Sequence, residues 1–235
     1  MASGYTTTII CLANSRKPGG RCVAGKAVQN NKLGGWIRPV SARSGGELSD
    51  SDRQFNGGVE PALLDVIDIS MLNKASHAYQ PENHTINDRA YWRRVRKASF
   101  NEALSAVDPQ QADLWGTSFG SSYSGINDRV PVATAPSFNY SLRLIEVDDL
   151  RIHVSAEGAA FNNPARKLRG HFTYSHHHYA LSITDPLVEA QYLAGQDGWF
   201  DIGNALLCVS LGEPHQNQQG QTYAYKLIAS MILPP

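Results

Sequence analysis

The sequence predicts a mainly β protein with one or two helices, arranged as two small β-barrels packed together. Three observations lead there. Short apolar or β-branched runs recur in both halves of the chain, four or five in each. Breaks rich in Gly, Pro, Ser and Asp separate them. No regular alternation of strand and helix patterns suggests parallel βαβ units. At 235 residues, 42% of them hydrophobic, the chain is long enough to bury one large core or two small ones.

Residues 6–12 (TTTIICL) form the first strand, and 15–20 (SRKPGG) read as a loop. Residues 21–28 return. Gly34 and Gly35 mark another break before the extended stretch 36–40, and 41–60 is a polar loop. Residues 63–71 (LLDVIDISM) alternate apolar and acidic side chains, as a half-buried strand does. Residues 87–107 give the clearest helical pattern, capped by Asn87, with Trp92, Val95, Ser99 and Ala103 on one stripe. Residues 108–139, with three prolines and three glycines, read as a linker or long loop. Beyond it, 142–147 and 150–154 are two strands joined at Asp148-Asp149. Another pair, 168–174 and 179–184, is joined across His176-His177-His178. A short helix at 187–193 follows Asp185-Pro186, and 206–211 and 222–233 are the last strands. The corresponding domains are 1–135, a first barrel with a helical insertion, and 136–235, a second barrel.

Lys and Arg total 21, as do Asp and Glu, so the net charge is zero. The distribution is uneven. Residues 1–46 hold Arg16, Lys17, Arg21, Lys26, Lys32, Arg38 and Arg43 and no acid. Further basic clusters lie at 89–97 and 166–169. Cations gathered in this way present a basic face to a polyanion. The three cysteines provide no disulfide framework and no zinc spacing, which fits a reducing cytoplasm. No apolar run is long enough to span a membrane, and the first residues lack the pattern of a signal peptide. No membrane association is expected.

Several blocks stand in an order that resembles the dual OB-containing domain family: CLANSRK at 11–17, GRCVAG at 20–25, WIRPVS at 36–41, LDV at 64–66, YQPEN at 79–83, YALSITDP at 179–186 and SLGEP at 210–214. Together they span nearly the whole chain. The resemblance implies that both barrels are OB-like and that the protein binds nucleic acid, in a setting of prokaryotic defence or DNA modification. It supplies no catalytic residue.

The candidate nucleic-acid contacts are Arg16, Lys17, Arg21 and Lys26 on the first β–β loop, with Arg38, Arg43, Arg93, Arg94, Arg169 and His171. Gly19 and Gly20 would let the backbone approach a phosphate closely. Trp92 and Phe172 read as core anchors, because Phe172 shares strand parity with Leu168 and Gly170. The His run reads as a polar hairpin loop, and no metal or cofactor is expected. Asn14, Ser15, Ser41, Asp185 and Glu213 are a candidate ligand pocket, joined by Arg38. No nucleophile–base pair and no phosphate-binding glycine loop is present, so the reading leans away from an enzyme. The leading expectation is a protein for single-stranded or irregular DNA or RNA. The alternatives are a nucleotide-level enzyme or sensor with a pocket at the barrel junction, and an interaction subunit that binds a protein partner.

Overall fold

Strand β1 (Tyr5–Lys17) is apolar on both faces: Ile9, Ile10, Cys11 and Leu12 in succession are no more than 2% exposed. An alternating strand has only one buried face, so β1 must separate two cores. The computed structural model, which describes residues 4–30, 32–159, 162 and 164–235, shows which two.

The strands that follow are β2 (Gly20–Gln29), β3 (Lys32–Val40), β4 (Asp65–Lys74), β5 (Asn83–Ile86), β6 (Arg93–Lys97), β7 (Arg129–Pro131), β8 (Leu142–Glu157), β9 (Ala165–Tyr174), β10 (His177–Ile183), β11 (Gly198–Gln216) and β12 (Thr222–Ile232). Among the described residues, three α-helices, α1 (Asp50–Arg53), α2 (Phe100–Ser105) and α3 (Pro186–Leu193), and a 3-10 turn at Ala135–Ser137 are interspersed. In the first half, hydrogen bonds close the ring β1-β2-β3-β5-β4 back onto β1, with β3 and β5 parallel and every other pair antiparallel. The second half repeats this topology as β8-β9-β10-β12-β11 back onto β8, with β10 and β12 as its parallel pair. In each ring a helix, α1 or α3, sits between the third and fourth strands.

Ile9, Cys11, Val23, Ile67, Ile69 and Met71 fill the first barrel. Ile145, Ile152, Phe172, Leu181, Leu207 and Ile228 belong to the core of the second. A third cluster lies between them, built from Ile10 and Leu12 of β1, Ala24 of β2, Leu142 and Leu144 of β8, Leu206 and Cys208 of β11, and Ala229 and Ile232 of β12. Alternate residues of β11 and β12 therefore face opposite cores. Ser230 secures the junction with a hydroxyl donated to the Leu12 carbonyl.

Several expectations need correction. The helix expected over 87–107 is replaced by edge strand β6 and, after Ser99, the six-residue α2. Ser99 and Glu102 form a capping box, which starts a helix there and not at Asn87. β6 pairs with β4 in a register that sets Lys97 opposite Asp65 and Arg93 opposite Asp68, and both pairs are ion-paired. The acids that alternate along β4 thus explain the cations of β6. Trp92 is buried as expected, but Val95 is 45% exposed.

Of the two readings of 108–139, the long loop holds and the linker does not. Leu114 and Trp115 are fully buried in the second barrel's core, Ile126 exchanges backbone hydrogen bonds with Ala180, and β7 pairs with β12. Residues 114–131 thus pack on the barrel that follows the expected 135/136 boundary. The turn expected at Asp148-Asp149 is absent because β8 runs unbroken past it, while Asp149 accepts from the Thr173 N–H. Gly34 and Gly35 lie inside β3.

Candidate nucleic-acid interface

The basic opening segment supplies the first test of where a polyanion could lie. Strand β1 carries Arg16 and Lys17 to the junction, and acids from the second barrel meet them there. Arg16 donates from Nε and Nη2 to both carboxylate oxygens of Glu189 on α3, at 3.0 and 2.7 Å. Lys17 Nζ lies 2.9 Å from Glu213 of β11. Glu213 also contacts His77, and these two neighbours hold its carboxyl down to about 2, His77 first. Lys26 is 9% exposed and bonds Asp108 at 2.6 Å. Arg43 folds back onto Glu47 and Asp52. Arg38 is 2% exposed and reaches only the neutral side chains of Asn83 and Ser210. Four cations of the acid-free segment are therefore neutralised by acids that fold against it, and a fifth is inside the protein. The Arg16 and Lys17 pairs bridge the two barrels. Arg21 stays half-buried beside Leu48, where the backbone closes a bridge. The close approach that Gly20 permits is to the Leu48 carbonyl, which a Cβ would meet at 2.3 Å.

Arg93 is tied to Asp68, whereas Arg94 lies exposed with its guanidinium 5.8 Å from the Phe55 ring. The pocket candidates do not converge. Asn14 donates to Pro61, Ser15 to Cys22, and Ser41 accepts from the Arg43 N–H. Asp185 caps α3 through the Leu187 N–H, with its carboxyl pushed up by burial. Each is engaged with its own partners, as Glu213 and Arg38 are with theirs.

The remaining two candidates lie on the outer face of the second barrel. On β9, Leu168, Gly170, Phe172 and Tyr174 point inward, so Lys167, Arg169, His171 and Thr173 face outward. Arg169 is only 8% exposed. It forks onto both Glu157 oxygens at 2.6 and 2.9 Å and lies 3.6 Å from Asp128, so it is neutralised where it sits. His171 is different. It meets Trp199 of β11 at 4.6 Å between ring centroids, edge on. Trp199 stacks on His153 of β8, 4.2 Å apart and 16° from parallel, while the Arg151 guanidinium lies 4.8 Å from the Trp199 ring. His178 of β10 completes the group, 5.6 Å from His171.

This cluster follows from register. Trp199 pairs with His153 and Asp201 with Arg151 across β11–β8, and Arg151 pairs with His171 across β8–β9. Directly opposite side chains on one face of a sheet stand ~5 Å apart, within contact distance. Trp199 remains 48% exposed, and Arg151, which lies over its ring, has a solvent-exposed ion pair with Asp201. Burial, followed by the nearby His178, His153, Arg169 and Arg151, pulls the His171 pKa down to about 4. His171 is therefore neutral at physiological pH and offers a ring surface, not a charge. Trp199, Arg151 and His153 escaped the reading of the sequence. The alternation Leu150-Arg151-Ile152-His153-Val154 marks two of them as outward-facing, but nothing in the sequence alone brings Trp199 beside them.

His176 and Ser175 occupy the β9–β10 turn with positive φ, as a hairpin loop requires, whereas His177 and His178, expected in that loop, begin strand β10. Among the described residues, no group of three or more His, Cys, Asp or Glu side chains is placed to hold a metal ion. Among the described residues, no helix is long and apolar enough to cross a membrane.

Two five-stranded rings of order 1-2-3-5-4-1, each with a helix between its third and fourth strands, define a protein of two OB barrels. Residues 7–231 match the dual OB-containing domain, and the chain belongs to that family. No curated protein and no solved structure matches it.

Proposed function

We propose that the protein binds single-stranded nucleic acid on the outer face of its second barrel, over Trp199, His153, His171, His178 and Arg151. The observation that carries this reading is the half-exposed Trp199, set among imidazoles and a guanidinium on the sheet of an OB barrel. Bases stack on aromatic faces whatever their sequence, and each stack contributes about 1–3 kcal/mol. Arg151 can exchange its exposed Asp201 partner for a phosphate at little cost.

The two barrels differ in what covers the outer faces of their first strands. In the first barrel, the outward residues Ile10, Leu12 and Ala24 are buried against the second barrel. In the second, Leu142 and Leu144 at the start of β8 are buried in that same cluster, but further along β8 and β9 the outward residues form the ring cluster on a face open to solvent. Arg16, Lys17 and Lys26 of the first hairpin are internally paired, and the open ring surface lies on β8–β11.

Titrating labelled single-stranded oligonucleotides while following the fluorescence anisotropy of the label tests it. Trp199→Ala is expected to weaken binding about tenfold, in line with the loss of one stacked base. Arg151→Ala should lower the dependence of log affinity on log salt by about 0.7, one phosphate contact on a single strand. Unchanged affinity in both variants would refute the location.

A further inference from the structure

The outer face that carries the ring cluster does not end at Arg169. One residue pair further along β9 it reaches Lys167, at the edge of a cavity of about 520 Å3 where the barrels meet. Lys167, Arg16, Arg166, Ser182, Thr184 and Glu189 line it, with apolar side chains between them. A volume of this size suits a nucleotide-sized ligand.

The structure closes this cavity on one side. The Arg16 N–H of β1 bonds the Thr184 carbonyl at 2.7 Å, so the first hairpin stands as a wall across the end of the face. Helix α3 forms another side through Glu189 and Leu193. Arg166 is occupied: it bonds Asp197 and donates to the Leu193 and Gly195 carbonyls, which fixes the turn after α3. Arg16 has committed only its Nε and Nη2 edge to Glu189. Lys167 is exposed and forms no ion pair with a described residue. Lys167 therefore brings an uncompensated positive charge to the lining, with the Ser182 hydroxyl on the neighbouring strand β10. A second cavity, of about 480 Å3, offers the opposite environment, with Asp108, Glu146 and Asp148 and no cation in its lining.

We infer that the junction cavity binds a phosphomonoester, the terminal phosphate of the strand that lies on the ring cluster. Lys167, Ser182 and the remaining guanidinium edge of Arg16 receive it. Lys167 is four residues from His171 on β9, about 13 Å at 3.3 Å per residue. That distance is the length of about four stacked nucleotides, or fewer if the strand is extended. The wall made by β1 explains why an end, and not an internal phosphate, is held. A terminal monoester also carries more negative charge than an internal diester, and charge-assisted hydrogen bonds are the stronger kind.

This inference rests on the proposed strand-binding face, and the experiment separates the two. Short oligonucleotides of one sequence, with a 5′-phosphate, a 3′-phosphate or hydroxyls at both ends, are titrated at constant ionic strength. One phosphorylated end is expected to bind on the order of tenfold more tightly than the hydroxyl-ended strand. Lys167→Gln should remove that advantage, lowering the affinity of the phosphorylated strands by about tenfold more than that of the hydroxyl-ended strand, whereas Trp199→Ala should weaken all three about equally. Equal affinity for all three ends in the unmodified protein, with binding intact, overturns the phosphate site and leaves the strand-binding face standing. If no oligonucleotide binds, the strand-binding face fails, and thermal shift with a nucleoside monophosphate against its nucleoside decides the cavity alone. Stabilisation by the monophosphate that Lys167→Gln removes supports it as a free-nucleotide site, and no stabilisation overturns it.

Discussion

Replacing Leu206 with Ala tests whether the two barrels form one thermodynamic unit. Leu206 is 1% exposed and sits in the cluster shared by both barrels, with its neighbour Leu207 facing the second barrel's core. A fully buried Leu→Ala change costs about 3–5 kcal/mol, the sum of lost transfer free energy and the cavity left behind. The shared cluster draws on β1, β2, β8, β11 and β12 and can relax into the gap only by moving strands of both rings, so the full cost is expected. At about 2–4 °C per kcal/mol for a chain of this size, the melting temperature should fall by roughly 6–20 °C. The assay is urea unfolding, with hydrogen exchange followed by mass spectrometry on β2 and on β9. The expected result is a lower midpoint, an unchanged m-value and equal loss of protection in the slowest amides of both strands. A cost below about 1 kcal/mol, or loss of protection confined to β9, would show that the barrels are stable separately and that the shared cluster does not couple them.

Arg169→Met should cost about 3–5 kcal/mol, because it strands Glu157 and Asp128 without their cation, and adding Glu157→Gln should recover part of that in denaturant titrations. Gly25→Ala places a Cβ 2.0 Å from the Ile10 carbonyl oxygen, so the β1–β2 pair must move, at a cost of about 3 kcal/mol read from thermal melts. His171, with its folded pKa at about 4 against 6.5 unfolded, leaves the unfolded chain holding more protons between those values. Stability should therefore fall as pH is lowered from 6.5 to 4, and His171→Phe should flatten that slope in pH-dependent melts while keeping a ring on the face. Arg43→Ala, which removes an internally paired cation, should leave oligonucleotide affinity within about twofold in the same fluorescence titration, because its charge already serves Glu47 and Asp52.

Much of the architecture is legible in the sequence, because period-2 patterns survive wherever one strand face is wet. Phe172 inward and His171 outward follow from parity alone. Legibility fails where a tertiary partner overrides the local pattern. The run Arg93-Arg94-Val95-Arg96-Lys97 mimics a helix face, and only the acids of β4 opposite make it a strand. The Gly- and Pro-rich stretch after Pro109 looks like a linker, yet Trp115 within it is buried and bonds the Tyr140 carbonyl through its indole N–H. The charge of the opening segment is read correctly as a count, but its meaning depends on Glu189, Glu213 and Asp108, which lie more than 80 residues away in the chain. The ring cluster needs the β11–β8 register, which no local pattern encodes.

The contact between Ser230 and Leu12 spans 218 positions, and this has a consequence for synthesis. When β1 and β2 leave the ribosome, the apolar outer side of the first barrel is not fully covered until β11 and β12 are made, some 180–200 residues later. At about 5–20 residues per second, that interval is roughly 10–40 s. During it, Ile10, Leu12 and Ala24 are open to chaperones, to aggregation and to premature pairing with another nascent chain. Codon choice and chaperone supply should therefore govern the yield of this protein more than the stability of the finished fold does.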